Sequence, residues 1–385
     1  MNIYVVEPGD DVDGISAKYG VPAGRVISDN QLIYPYDLAV GQALLIRDGM
    51  TAEAGREIRS NGYAYPFISP WVLEQTLPYL TELSVFSYGF TAEGGLVDPL
   101  LDDQWMIGTA FRFETRPILT LTPLGSDGTF DNRRISAVVR NETSRSRLIE
   151  NLIRVMKEKG YQGLDIDFEY ILAEDRDSFT EFVQVCADAM HREGYSLSVA
   201  LAPKTSADQP GLLYEGKDYR AIGAAADSVL LMTYEWGYTY GPPMAVAPVD
   251  KVRQVVEYAV TEIPREKIDL GIPNYGYDWP LPFIRGTTRA RTIGNVEAVR
   301  IAISYGASIQ FDEVARSPWF YYTDDRGIRH EVWFEDVRSL QAKFDLVGEF
   351  TLRGVGYWQI MQLFRANWLL LAENFRIVKE ISAER

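Results

Sequence analysis

The chain is poor in the residues that carry metal, thiol and imidazole chemistry. Its 385 residues include one cysteine, Cys186, and two histidines, His191 and His330. A single thiol makes no intrachain disulfide, so cysteine usage leaves the redox compartment open, and an inert buried thiol is expected in the helical stretch 179–192. Two imidazoles exclude most zinc sites and disfavour a Ser-His-Asp triad. No metal and no cofactor are therefore expected, and any catalysis falls to carboxylates. Cations are outnumbered, 38 Lys and Arg against 54 Asp and Glu, for a net charge of −16. Such a surface repels phosphate backbones and anionic bilayers, so neither nucleic acid nor a membrane is expected as a partner. No apolar run approaches the ~20 residues of a membrane span. The first ten residues lack the basic and apolar regions of a secretory signal, and none is expected in this chain.

What is present suits one large α/β domain with an appended module: 46% apolar and 24% charged residues over this length. Aromatics make up 12%, with 23 Tyr and 8 Trp. Sugar-binding grooves use such rings, although core packing is the preferred reading for most of them. The first segment, 3–46, reads as a βααβ unit. Ile3-Tyr4-Val5-Val6 is strand-like and Pro8-Gly9-Asp10 a turn. Val12, Ile15 and Tyr19 have helical spacing before the stop at Gly20. A second short helix follows at 23–30, and Ala43-Leu44-Leu45-Ile46 forms a second strand. A unit this small has little core and serves as a module rather than an enzyme.

Tyr4-Val5-Val6, Pro8-Gly9-Asp10, Ile15, Tyr19-Gly20-Val21, Asn30 and Gly41-Gln42-Ala43-Leu44-Leu45-Ile46 resemble the LysM family of glycan-binding modules. The resemblance implies binding of N-acetylglucosamine chains in a groove formed by Gly9, Asp10, Asp11 and Val12, with Leu32 and Ile33 opposite. The module is assigned to 1–47 and a polar linker to 48–61.

From residue 62 onward, strand-like runs alternate with helix-like ones. The strands read are 64–68, 83–88, 117–122, 163–168, 196–201, 228–232, 268–272 and 354–358. Between them lie helices such as 145–159, whose apolar face is Leu148, Ile149, Leu152, Ile153 and Met156. Eight such repeats predict a (β/α)8 TIM barrel over 62–385. The interval between the last two strands is too long for a loop and predicts an α+β insertion at about 275–345. It holds a hairpin turning at Asp325-Arg326-Gly327 and then a helix at 336–344.

The chemistry concentrates on the fourth strand. Asp165, Asp167 and Glu169 stand at i, i+2 and i+4, so on a strand they share one face at steps of ~6.6 Å. Leu164, Ile166 and Phe168 point the other way, toward the helix layer. Three acids thus enter the barrel interior at the end where this fold catalyses. Burial and mutual repulsion should raise at least one pKa, and an acid kept protonated near neutral pH can protonate a leaving oxygen. A surface strand with acids facing water is the bland alternative; the apolar flanks argue against it.

Gln162-Gly163-Leu164-Asp165-Ile166-Asp167-Phe168-Glu169 also resembles the Asp-x-x-Asp-x-Asp-x-Glu signature of glycoside hydrolase family 18. Gln162 stands where the family has its first Asp, which predicts tuning rather than loss of activity. Met232-Thr233-Tyr234-Glu235 resembles the family's Met-x-Tyr-Asp, with Glu235 replacing Asp. Gly271-Ile272-Pro273-Asn274-Tyr275-Gly276 and Gly356-Tyr357-Trp358 match the seventh and eighth strands. The resemblance implies retaining hydrolysis in which the substrate's own 2-acetamido oxygen attacks C1, an exception to the two-carboxylate scheme. Glu169 would be acid and then base. Asp167 would orient the acetamido N–H, Asp165 would share a proton with Asp167, and Tyr234 would hold the acetamido oxygen. Trp358, Glu235, Asn274, Tyr275 and Trp236 are the expected substrate-binding residues.

Asp-Phe-Glu-Tyr, Met-Thr-Tyr-Glu-Trp-Gly and Pro-Asn-Tyr-Gly-Tyr-Asp-Trp look like bacterial spore-germination members of the family. That likeness implies an N-acetylglucosaminidase acting on spore cortex peptidoglycan or its fragments, located in the coat or cortex of a spore, with a monomer expected. A chitinase or chitooligosaccharide hydrolase is the alternative reading, and a non-catalytic, lectin-like glycan binder the second.

Overall fold

The computed structural model describes residues 1–48, 55–125 and 128–380. At the N-terminus, strands Asn2–Val5 and Ala43–Ile46 pair antiparallel, with Ile3 opposite Leu45. The helices Val12–Tyr19 and Ala23–Asp29 lie between them. Asp11 starts the first helix by accepting the Gly14 N–H at 2.7 Å, and Gly20 ends it in the left-handed region at φ 65°. Tyr4, Val6, Val12, Ile15, Val26 and Leu44 form the core of this module.

The barrel strands are, in order, Glu57–Ala64, Glu82–Phe90, Arg116–Leu121, Gly163–Ile166, Ser196–Leu201, Ser228–Leu231, Ile268–Pro273 and Gly354–Trp358. Each pairs parallel with the next, and the eighth closes on the first with Gly354 beside Arg59. The first strand lies earlier than the 64–68 read from sequence and begins inside the stretch read as a linker. Residues 49–54 of that linker lie outside the described residues. The strand was hidden because its middle is polar: Ser60 and Asn61 are buried, and Asn61 exchanges hydrogen bonds with Ser84 on the second strand.

Helices form the outer layer. Glu142–Lys159 begins at Asn141, whose side chain accepts the Ser144 N–H at 2.9 Å, and ends at Gly160 with φ 92°. It buries Leu148, Ile149, Leu152 and Met156 against the barrel.

Between the seventh and eighth strands lies a five-stranded antiparallel sheet, ordered Arg291–Ile293, Gly276–Pro280, Arg329–Trp333, Ser317–Thr323 and Gln310–Asp312, with the helix Asn295–Ser304. The predicted hairpin is its Ser317–Thr323 and Arg329–Trp333 pair, turning through Gly327 at φ 77°. The helix expected at 336–344 runs Val337–Glu349. It packs on Val249–Glu262 and Arg365–Asn374, so it belongs to the barrel's outer layer rather than to the insertion.

The N-terminal module sits directly on this body. The Ile309 N–H donates to the Val40 carbonyl at 2.8 Å, and Arg338 donates to the Gly41 carbonyl at 3.1 Å. A Cβ on Gly41 would lie 1.9 Å from the Ile309 carbonyl oxygen, so only glycine permits this approach.

Candidate active site

The fourth strand proper ends at Ile166, and the Asp167 N–H extends its pairing by donating to the Leu121 carbonyl at 2.9 Å. Side chains then separate as alternation demands. Phe168 turns outward, its ring centroid 5.2 Å from Phe90 and 5.8 Å from Phe182. The acids turn inward and climb toward solvent: Asp165 is 0% exposed, Asp167 is 8% exposed, and Glu169 is exposed. The expectation of three buried acids thus holds for two. Glu169 stands at the mouth because the strand has already ended beneath it.

Asp165 is held on both oxygens. Ser198, its register neighbour on the fifth strand, donates to Oδ1 at 2.6 Å, and Tyr63 donates to Oδ2 at 2.9 Å. Burial pushes the Asp165 carboxyl up to about 6, against the lowering effect of these two donors. Asp167 is pushed well above the usual carboxylate range by burial and then by the neighbouring charges of Glu169 and Asp165. Its Oδ1 is buried and has no hydrogen-bond partner among the described residues.

Tyr234 ends the sixth strand's side of the same interior. Burial and the carboxylates of Asp167 and Glu169 hold its hydroxyl far above the ordinary phenol range, so it remains an O–H donor. Trp358 closes the floor against Phe86, Tyr63 and Tyr65, at ring separations of 4.9, 5.9 and 6.1 Å. Above this floor opens a cleft of about 690 Å³, and Asp167, Glu169, Tyr234, Glu235, Trp236 and Trp358 all face it. That size suits one or two sugar rings.

Glu235 carries a left-handed backbone at φ 65°, and its carboxylate is held by the hydroxyls of Tyr275 and Tyr277, the latter at 2.9 Å. Tyr275 and Asn274, expected among the substrate-binding residues, do not line the cleft. Tyr275 is buried, and its hydroxyl donates to the Glu235 carboxylate. The Asn274 amide donates to the carbonyls of Gln359 and Gln362 at 3.1 and 2.9 Å, which ties the seventh-strand end to the loop after Trp358. Gln162 turns its amide back onto the Gly160 carbonyl at 3.1 Å, away from the acids.

Several residues of the site escaped the sequence reading. Tyr63 lies on the misplaced first strand. Ser198 stands at the same barrel level as Asp165, and only alternation along 196–201 could have signalled it. Lys217 is fully buried in the loop after the fifth strand, where burial lowers its amine and the charges of Glu169 and Asp167 raise it; nothing in its local sequence marks it. No group of three or more His, Cys, Asp or Glu among the described residues is placed to hold a metal ion.

In the N-terminal module, Asp10 accepts hydrogen bonds from the Tyr4 hydroxyl at 2.6 Å and the Glu7 N–H at 2.7 Å, while Asp11 caps its helix. Asp10, Asp11 and Val12 line a cleft with residues 35–40, facing Ala302, Ile303 and Gly306 of the insertion. Leu32 and Ile33 line a neighbouring cleft bounded by Asn295, Val299 and Phe334 instead. Gly9 lies in the turn before the helix at φ 92° and lines neither cleft.

Residues 115–362 match the model of glycosyl hydrolases family 18, and residues 4–47 that of the LysM domain. The chain is 37% identical to a cortical fragment-lytic enzyme of Bacillus subtilis, over 99% of each chain. It is also 37% identical to a cortical fragment-lytic enzyme of Bacillus anthracis, over 99% of this chain and 100% of that one. The solved spore cortex-lytic enzyme SleL of Bacillus megaterium superposes with a TM-score of 0.92 at 33% identity, over 98% of this chain and 99% of that chain. With the acids, tyrosine and tryptophan of its signature converging on one cleft, this chain belongs to glycosyl hydrolases family 18 and carries a LysM domain at its N-terminus.

Proposed function

We propose that this chain hydrolyses the β-1,4 linkage after N-acetylglucosamine in spore cortex peptidoglycan or its fragments during germination. It does so with retention, the substrate's 2-acetamido oxygen acting as nucleophile. The single observation that carries the reading is the graded line of acids. Asp165 is locked below, Asp167 is buried with a free acceptor oxygen, and Glu169 is exposed in the cleft. The full-length relatives named for lysing cortical fragments support the choice of polymer.

Glu169, the one acid of the three open to solvent, gives its proton to the leaving oxygen as the acetamido oxygen bonds to C1, and then takes a proton from the attacking water. Asp167 accepts the acetamido N–H and offsets the positive charge of the oxazolinium. Asp165 shares a proton with Asp167 and keeps it in place. Tyr234 donates to the acetamido oxygen, fixing its line of attack. Trp358 lies under the sugar, with Trp236 and Glu235 along the wall. The LysM domain holds the polymer close to the barrel. The protein acts as a monomer in the spore.

Incubation with purified cortex fragments and, separately, with chitooligosaccharides tests this, with products read by mass spectrometry. Cortex products ending in reducing N-acetylglucosamine are expected. Cleavage of chitooligosaccharides alone would reassign the chain as a chitinase, and binding without cleavage of either would make it a lectin.

A further inference from the structure

The loop after the fifth barrel strand carries a lysine that the mechanism above does not use. Lys217 is 0% exposed, and its Nζ has no hydrogen-bond partner among the described residues. Its backbone is fixed: its N–H donates to the Tyr214 carbonyl and its carbonyl accepts from Lys204 Nζ, each at 3.1 Å. Gly216 backs onto the chain just past Glu169, so closely that a Cβ there would sit 2.4 Å from the Ile171 carbonyl oxygen. The lysine is thereby pinned against the end of the fourth strand. An ammonium taken out of water without a partner costs several kcal/mol, so something must offset it. The opposite charges that act on Lys217 through the protein interior are Glu169 and Asp167, and Lys204 is the like charge.

We propose that the Lys217 ammonium is the counter-charge of the Glu169–Asp167 pair. It is a positioning residue that stabilises the carboxylate left on Glu169 when its proton moves to the leaving oxygen and the C1–oxygen bond breaks. The proposal rests on the reading of Glu169 as the acid. Burial brings the Lys217 amine down to about 8, so it is charged through neutral pH. The other groups facing the pair do not supply this charge. Asp165, Tyr63, Tyr65 and Tyr234 face Asp167, while Tyr65, Tyr170, Tyr234 and Glu235 face Glu169. These are carboxylates, or phenols that burial keeps protonated.

The test is the pH profile of kcat/KM on cortex fragments for the parent and for Lys217→Met. Removing a cation raises the proton affinity of both carboxylates, so both limbs of the bell should move to higher pH by about one unit. A folded Lys217→Met protein whose bell stays in place overturns the proposal, whatever its rate. Glu169→Gln run alongside separates the two readings. Near-parent hydrolysis there removes Glu169 as the acid, whereas an inactive Glu169→Gln with an unmoved Lys217→Met bell removes the lysine's role alone. If Lys217→Met does not fold, the parent and Glu169→Gln proteins labelled at lysine Cε are titrated by NMR. The Lys217 signal should titrate about one unit lower in Glu169→Gln, since a neighbouring carboxylate has gone; an unchanged midpoint overturns the proposal.

Discussion

The hydroxyl of Tyr63, on the first barrel strand, donates to Oδ2 of Asp165, on the fourth, across 2.9 Å of the barrel interior. The same ring stands edge-on to Trp358 at 5.9 Å. One residue therefore supports both the lowest acid of the line and the aromatic floor. With Ser198 on its other oxygen, Asp165 cannot turn, and Asp167 is left as the acid with a free oxygen.

Tyr63→Phe keeps the ring and removes the donor. We expect kcat on cortex fragments to fall roughly tenfold to a hundredfold, the effect of about 1.5–3 kcal/mol for a lost hydrogen bond to a charged group. KM should change little, because the Trp358 contact persists. A large rise in KM with kcat intact would place Tyr63 in substrate binding instead.

Glu169→Gln should lower turnover by roughly three orders of magnitude, the scale of losing a general acid. Glu169 is exposed, so the protein should stay folded, its unfolding free energy lowered only by the charge it offers to buried Lys217, about 1 kcal/mol. Steady-state kinetics and a denaturant melt on the same preparation check both halves.

Asp165→Asn should trade activity for stability at neutral pH. A carboxyl whose folded pKa is raised to about 6 contributes its stability fully below its unfolded value. It loses that stability as pH rises through the folded value. The parent should therefore lose roughly 2 kcal/mol relative to Asp165→Asn between pH 4 and pH 7. Urea unfolding of both proteins across that range reads the difference, and parallel pH curves would sink the expectation.

Tyr275→Phe removes a hydroxyl from the Glu235 carboxylate without opening the cleft. The expected result is a rise in KM of roughly fivefold, about 1 kcal/mol of lost orientation, with kcat less affected.

Gly41→Ala and Gly20→Ala both place a side chain at positive φ, but only the first drives a Cβ into a carbonyl, that of Ile309 at 1.9 Å. Gly20→Ala should cost about 1 kcal/mol. Gly41→Ala should cost clearly more and should increase protease cleavage between the LysM domain and the barrel. Equal costs in thermal melts would mean that the close approach of the two units is not needed for stability.

The sequence made the βααβ unit legible because its apolar spacing is local. It made the outer helix legible at 145–159 through the spacing of Leu148, Ile149, Leu152, Ile153 and Met156, whereas its true start at Glu142, capped by Asn141, lies three residues earlier. The first barrel strand was not legible. Its Ser60 and Asn61 are buried by neighbouring strands, and polar residues in a hydrogen-bonded barrel interior imitate a linker. The helix Val337–Glu349 was legible as a helix but not as part of the barrel, since its buried face acquires meaning only from Val249–Glu262 and Arg365–Asn374.

What the sequence determined by itself is the facing of Asp165, Asp167 and Glu169, because a two-residue period puts alternate side chains on one side wherever the strand goes. Tertiary structure alone decided how far each acid is buried, and which groups from other strands and loops reach it: Tyr63, Ser198, Tyr234 and Lys217. Proton affinity depends on solvent exclusion and on charges brought close in space, and barrel closure supplies both from residues far apart in the chain.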